Sequence, residues 1–205
     1  MIELFISAFI TFFVVIDPPG CAPIYAGLTS GASPHQRRAM AIRAVGVAAL
    51  ILLVFALFGE KLLKGLGIEL ASFRIAGGIM LFLIALEMVF EKRTQRREDR
   101  AAKVTPQESE DVSIFPMAMP MIAGPGSIAS VMLLMARNDG LERSAVVMLA
   151  LGANLVLTLV ALLAAGPLMR LLGHKIEAVI TRLLGVLLAA LAVQFVIDGL
   201  QVHLG

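Results

Sequence analysis

Several residue types are scarce in this chain of 205 residues. It contains no tryptophan, one tyrosine and one cysteine, and charged residues make up only 16% of the total. The single thiol, Cys21, excludes an internal disulfide. The net charge of +2 is small, and no basic segment with interleaved aromatic residues suggests a nucleic-acid partner.

Groups that carry out catalysis or bind metals are equally scarce. The histidines, His35, His174 and His203, are widely separated and lack the spacing of metal ligands. We find no nucleophile paired with a base and no phosphate-binding loop. The sequence therefore predicts neither an enzyme nor a protein with a cofactor.

Hydrophobic residues are abundant instead. They make up 59% of the chain, and the mean hydropathy is +0.92. Several stretches of about 20 residues carry almost no charge, which is the length that crosses a bilayer as a helix. The sequence predicts an all-α polytopic membrane protein. The partner that it implies is the lipid bilayer.

Six hydrophobic units can be drawn along the chain. The longest stretch between them, Glu91 to Asp111, has the composition of a solvated loop. The predicted spans are Ile2 to Thr29, Ala39 to Phe58, Ala71 to Phe90, Val112 to Ala136, Ser144 to Gly166 and Ala178 to Ile197.

The distribution of lysine and arginine predicts the orientation. With the N-terminus outside, the inner loops hold ten of these residues and the outer loops hold four. Loops rich in lysine and arginine face the cytoplasm. We therefore expect both termini outside and the charged connector, residues 91–111, in the cytoplasm.

The first hydrophobic unit contains a break. Pro18, Pro19 and Pro23 have no amide hydrogen to donate, and each crowds the carbonyl one turn earlier, which predicts an interrupted helix. Freed backbone groups are costly in hydrocarbon, so the break must be buried in protein or line a wet cavity. Asp17 lies at this break and is a candidate for coupling to a proton or cation. The alternative is that Asp17 only caps the second half-helix.

The second half of the chain repeats this pattern. Ala123-Gly124-Pro125-Gly126 corresponds to Asp17-Pro18-Pro19-Gly20, and each lies in the first unit of its half. An arginine follows the last glycine of each motif, Arg74 after 54 residues and Arg182 after 56 residues. Because each half has three spans, the halves would enter the membrane in opposite directions. We predict two inverted three-helix repeats, residues 1–90 and 112–205, joined by the connector.

Matched helix breaks in an inverted repeat indicate a transport site near the bilayer midplane. Each break exposes amide hydrogens, which favour an anion, and carbonyls, which favour a cation. Alternatively, the prolines and glycines only bend the helices for packing.

Three stretches are long enough to compare with known families. They are the DPxGxxP pattern from Asp17 to Pro23, FRIAGGIMLFLIALEM from Phe73 to Met88 and FPMAMPMIAGPGSI from Phe115 to Ile128. In these stretches the chain resembles the MarC family of bacterial integral membrane proteins. The resemblance implies a multi-pass, six-helix protein of the inner membrane within the lysine-exporter-like superfamily, and some similar proteins are described as neutral amino acid transporters. Where many relatives have asparagine this chain has Cys21, so the resemblance does not identify a solute.

Other polar residues inside the spans have two interpretations each. Arg74 and Arg182 lie in the first turns of their spans, where a long side chain reaches the interface. The alternative is that they bind a carboxylate or pair with Asp17. Asn154 lies near the middle of the fifth span, where a hydrogen bond to another helix is favoured over a ligand contact.

We predict a secondary transporter of a small solute, such as a neutral amino acid, that binds at the two breaks. One alternative is a proton or ion channel on the same scaffold. The other is a membrane scaffold or assembly protein that transports nothing, for which the break would be dry; a homo-oligomer is compatible with all three. The candidate binding residues are Asp17, Pro19, Gly20, Cys21, Pro23, Gly124, Pro125, Gly126, Ser127, Arg74, Arg182 and Asn154.

Overall fold

The computed structural model describes residues 1–102, 111–138 and 140–204. In these residues it has eight α-helices and one irregular helical segment, Ser113–Ile122, and they contain no β-strand. The helices are α1 (Ile2–Ile16), α2 (Pro18–Leu28), α3 (Pro34–Gly65), α4 (Leu70–Val89), α5 (Lys92–Ala102), α6 (Pro125–Arg137), α7 (Leu141–Leu163) and α8 (Ala165–Leu204).

Six segments of the described chain are long and apolar enough to cross a membrane. Five are continuous or nearly so, and the sixth is the irregular segment together with α6, which are bent by 52°. The other five segments are Ile2–Leu28, which contains the junction of α1 and α2, and Pro34–Gly65, Leu70–Val89, Leu141–Leu163 and Ala178–Val202. This arrangement confirms the predicted all-α polytopic membrane protein with a broken helix in the second half.

Two helices are longer than the sequence predicts. Helix α3 begins at Pro34 because Ser33 and Gln36 form a capping box, in which each side chain bonds the backbone amide of the other residue. Helix α8 begins at Ala165, so the loop predicted between the fifth and sixth spans is helical. Pro167 does not prevent this, because a proline is tolerated in the first turn of a helix.

Helices α4 and α8 pack closely and run antiparallel. A methyl group at Gly199, late in α8, would lie 2.9 Å from the carbonyl oxygen of Ala71, early in α4. One at Gly185 would lie 3.1 Å from the carbonyl oxygen of Ala85, near the other end of α4. If the two halves insert in opposite directions, their third spans, α4 and α8, must be antiparallel, as they are here. The division of the chain into repeats at residues 90 and 112 stays a prediction.

The first span is the most enclosed of the continuous spans. In its most apolar stretch 56% of the residues are buried, against 28% to 39% in the other four. Phe12 and Ile16 are fully buried in this span, whereas large side chains such as Leu50 and Leu57 of α3 are exposed, as lipid-facing residues must be. The break in the first span therefore lies inside the helix bundle.

Candidate functional site

The first break occurs at one residue, Asp17. Its backbone has φ 59° and ψ 65°, a left-handed conformation that ends α1 and that aspartate adopts more readily than most residues. Pro18 and Pro19 then occupy the first positions of α2, where no amide hydrogen is needed. Pro23 lies inside α2, which continues to Leu28, so the prediction that Pro23 interrupts the helix is wrong.

The Asp17 side chain has two partners. One carboxylate oxygen accepts from the backbone amide of Gly20 at 3.1 Å, so Asp17 caps α2. The other oxygen is 2.9 Å from Nη1 of Arg97, and the Asp17 residue is only 1% exposed. The ion-pair partner is thus Arg97 and not Arg74, which the sequence offered as an alternative.

Arg97 lies on α5, within the connector predicted to be a solvated loop. That prediction is wrong for residues 92–102, because they form a helix and Arg97 is 6% exposed. Arg93, one turn earlier, donates to the carbonyl oxygen of Val15 at 2.6 Å, and Arg97 also donates to that of Ile16 at 3.4 Å. Two guanidinium groups therefore occupy the carbonyl end of α1, the end that favours a cation.

Two further ion pairs hold α5 against the bundle. Arg96 of α5 lies 2.6 Å from Glu87 of α4, and Glu91, just before α5, pairs with Arg182 of α8. Arg182 is half exposed in this pair. It therefore anchors the connector and lies outside the break.

The second break lies between the irregular segment and α6. Phe115 and Met119 have extended backbones inside that segment, because each precedes a proline and a preceding residue is pushed out of the helical region. The segment ends at Ile122, with Ala123 as its cap, and α6 begins with Pro125 in its first position. The Ser127 hydroxyl donates to the carbonyl oxygen of Ile122 at 2.7 Å, so it satisfies one of the backbone groups freed by the break.

The two breaks lie next to each other. A methyl group at Gly126 would lie 3.3 Å from Cγ1 of Val15, which is two residues before Asp17. A cavity of about 270 Å³ lies beside the second break and reaches the first broken span at Val15, but Asp17 is not part of its lining. Its polar lining includes residues of α4, α5 and the second break, namely Glu87, Arg93, Arg96, Arg97, Gly124, Gly126 and Ser127.

Four predicted residues of α2 do not line this cavity. They are Pro19, Gly20, Cys21 and Pro23, whereas Gly124, Pro125, Gly126 and Ser127 do line it. Cys21 is fully buried, with its sulfur 3.5 Å from the carbonyl oxygen of Ile16. The residues that sequence reasoning missed are Arg93 and Arg97, and their spacing of four residues was the signal available, since it places both on one helix face.

Asn154 makes a contact between helices. Its side-chain amide donates to the carbonyl oxygen of Phe9 in α1 at 3.1 Å, which is the interpretation that the sequence favoured. Thr158 donates to the Asn154 carbonyl oxygen at 2.8 Å within α7. Asn154 therefore stabilises α1 against α7 and is not part of the cavity lining.

The site lies at the connector end of α4. Arg93 contacts both Val15 and Met88, so the first break lies beside the last turn of α4, while its depth relative to the bilayer midplane stays a prediction. Arg74, in the second turn of α4, lies about 20 Å away along the helix at 1.5 Å per residue. It therefore plays no part in this site.

The site is positively charged. Burial, and secondarily the charge of Arg97, lower the pKa of Arg93 to about 10, so its guanidinium is still protonated at neutral pH. In residues 1–102, 111–138 and 140–204, no three histidine, cysteine, aspartate or glutamate side chains come together as a metal site. The polar chemistry of the site is therefore that of guanidinium, carboxylate and backbone groups.

Six apolar spans define a polytopic membrane protein, and two of them are broken at adjacent positions beside a charged cavity. The family model for the MarC family integral membrane proteins matches residues 2–204. The chain therefore belongs to the MarC family.

Similar proteins come from both archaea and bacteria. A UPF0056 membrane protein of Methanocaldococcus jannaschii is 37% identical over 203 residues, which cover 98% of this chain and 97% of that protein. The UPF0056 membrane protein YvbG of Bacillus subtilis is 34% identical over 206 residues, covering 98% and 96%. The UPF0056 inner membrane protein YhgN of Escherichia coli K12 is 34% identical over 198 residues, covering 96% and 95%. No solved structure matches the chain.

Proposed function

We propose that this chain is a secondary transporter of a small solute, which binds between the two helix breaks. The observation that carries the proposal is the cavity of about 270 Å³ beside both breaks, with charged side chains in its lining. Broken spans expose backbone groups at membrane depth, and these groups serve as solute and ion ligands in transporters. A small amphoteric molecule such as a neutral amino acid suits a cavity with both guanidinium and carboxylate groups.

Asp17 is the coupling residue in this proposal. Protonation of its carboxylate, or binding of a cation there, would remove the charge that holds Arg97 in the break. The hold of Arg97 on the first break would then weaken, while the ion pair between Arg96 and Glu87 keeps α5 attached to α4. An ion-dependent movement of α5 would thereby connect Asp17 to access from the connector side.

The proposed orientation of the chain places α5 on the cytoplasmic side of the membrane. Both termini lie outside in this proposal, and α5 covers the break from the cytoplasm of a cell whose inner membrane holds the chain. The protein binds and moves its solute without catalysing a reaction on it.

Uptake into proteoliposomes tests the proposal. The purified chain is reconstituted and assayed with a panel of radiolabelled neutral amino acids, with and without proton and sodium gradients. We expect saturable, gradient-driven uptake of at least one solute, lost in Asp17→Asn and retained in Lys92→Gln, an exposed position on α5. Flux that never saturates and needs no gradient would indicate the channel alternative.

One observation favours the scaffold alternative. Cys21 is fully buried beside the first break, as a dry break would require. A membrane-impermeant maleimide separates the two functions, because this thiol is the only one in the chain. A transporter should expose Cys21 during turnover, so that labelling is faster with a gradient and solute than without them. Unchanged protection together with no uptake of any solute would support the scaffold and overturn the transporter.

A further inference from the structure

The cavity beside the second break has more positive than negative charge. Three arginines line it, together with one carboxylate, Glu87. Arg96 pairs with Glu87 at 2.6 Å and Arg97 pairs with Asp17 at 2.9 Å. Within the part of the chain that the structure describes, no ion pair joins Arg93 to a carboxylate. One positive charge in the lining is thus left in excess.

Arg93 has neutral partners. Its guanidinium donates to the carbonyl oxygen of Val15 at 2.6 Å and to the sulfur of Met88 at 2.9 Å. The side chain is half-buried, and burial followed by the nearby charge of Arg97 lowers the pKa of Arg93 to about 10. The charges of Asp17 and Glu87 offset part of this shift, but neither forms an ion pair with Arg93 within the described residues. The partly buried cation is therefore incompletely compensated and attracts an anion.

The second break adds to this positive potential. Gly126 and Ser127, in the first turn of α6, form part of the cavity wall. The first amides of a helix have no intrahelical partner, and this end of the helix dipole is positive. The helix end and Arg93 therefore act on the same cavity from two different elements.

We propose that Arg93 is the anion-binding residue of this cavity and that it takes the carboxylate of a small organic acid or amino acid. The planar guanidinium matches a carboxylate in shape and can donate two parallel hydrogen bonds to it. The volume of about 270 Å³ is close to the lower limit of roughly 300 Å³ for ligand pockets, so the ligand is small. Movement of this ligand across the membrane rests on the proposed function, but its binding does not.

Thermal unfolding of the purified full-length chain in detergent tests the ligand class. A thiol-reactive dye reports unfolding, since Cys21 is the single cysteine and is buried. Acetate and glycine test the two sources of a carboxylate, acetamide is the uncharged control, and chloride is the inorganic anion.

We expect acetate or glycine, at ten times its dissociation constant, to raise the unfolding midpoint by about 3 °C. A shift with glycine alone would identify amino acids as the source of the carboxylate, and a shift with acetate would extend the class to simple acids. Acetamide and chloride should give no shift. An equal shift with acetamide or chloride would overturn the assignment to a carboxylate.

Three variants test the residue. Arg93→Gln should weaken binding of the stabilising carboxylate at least about ten-fold, because it removes a charge-assisted hydrogen bond. Arg93→Lys, which keeps the positive charge, should weaken carboxylate binding less than Arg93→Gln does. It also keeps the test valid if the glutamine variant misfolds. Lys92→Gln removes one charge from an exposed position of the same helix and should bind as the unmodified chain does.

The outcomes separate this inference from the proposed function. Carboxylate binding that is unchanged in both Arg93 variants would overturn the inference, even where uptake is measured. Carboxylate binding that depends on Arg93, in a protein that takes up no solute, would support the anion subsite and overturn the transporter.

Discussion

Arg97 and Asp17 form a buried ion pair across 80 positions of sequence, with Nη1 of the arginine 2.9 Å from the carboxylate. Asp17 ends the first half-helix, and Arg97 comes from the helix that follows the third span. A buried ion pair is more costly to break on one side than to remove entirely, because the remaining charge has no partner.

The first prediction concerns the stability of this pair. Asp17→Asn should lower the free energy of unfolding by about 3 kcal/mol, because it removes the carboxylate that pairs with the buried Arg97 guanidinium. The double variant Asp17→Asn/Arg97→Gln should recover much of that loss. Unfolding of both single variants and the double variant in one detergent gives the coupling energy. Additive losses would show that the two side chains do not interact.

The second prediction concerns Gly20, over which the ion pair lies. A methyl group there would overlap the Asp17 carboxylate and lie 2.9 Å from Nη1 of Arg97. Gly20→Ala should therefore separate the pair and destabilise the protein about as much as Asp17→Asn does. Gly27→Ala in the same half-helix is the matched control, because nothing lies within 4 Å of its added methyl group. That variant should be neutral or slightly stabilised, since alanine is the better helix former.

The third prediction is a pH dependence of carboxylate binding. In the empty site the pKa of Arg93 is about 10, and a bound carboxylate favours the protonated form. Binding should therefore be constant from pH 7 to 9 and about four-fold weaker at pH 10.5, where roughly three-quarters of the empty sites have lost the proton. Calorimetric titration measures this with acetate, whose own charge is constant over this range. If only glycine binds, the loss of its ammonium proton near pH 10 is subtracted with the Arg93→Lys variant as reference. Affinity that rises above pH 10 would contradict Arg93 as the ligand.

The fourth prediction concerns orientation. In a Cys21→Ser background, Glu98→Cys on α5 should react with an impermeant maleimide only in inverted membrane vesicles. Glu142→Cys, at the start of α7, should react only in intact cells. Both positions are exposed. A lack of reaction from one side therefore shows that the membrane separates the reagent from the cysteine, and not that the cysteine is buried. The reverse pattern would place the connector outside.

The sequence predicted the spans and both breaks because their signals are local. A proline has no amide hydrogen to donate inside a helix but fits its first turn, so Pro18, Pro19 and Pro125 marked the points where α2 and α6 begin. The same rule failed at Pro23, because the surrounding helix continues through it. The effect of a proline depends on its position within its own helix. That position depends in turn on where the preceding helix ends, which the proline alone does not reveal.

The sequence did not predict α5 as part of the site. Its residues are almost all charged or polar, and such a composition is typical of a solvated segment. Arg97 is buried because it contacts the Asp17 carboxylate and the carbonyl oxygen of Ile16, which lie 80 and 81 residues earlier in the sequence. Long-range charge pairing of this kind leaves no local pattern, apart from the four-residue spacing of Arg93 and Arg97.

The distance in sequence between Asp17 and Arg97 also has a consequence during synthesis. Asp17 leaves the ribosome 80 residues before Arg97, so the first three spans are made before the counter-charge exists. Until α5 is complete, the Asp17 carboxylate must be protonated, remain in contact with water or be shielded by the insertion machinery. The first half can therefore reach its final packing only after the connector has been translated.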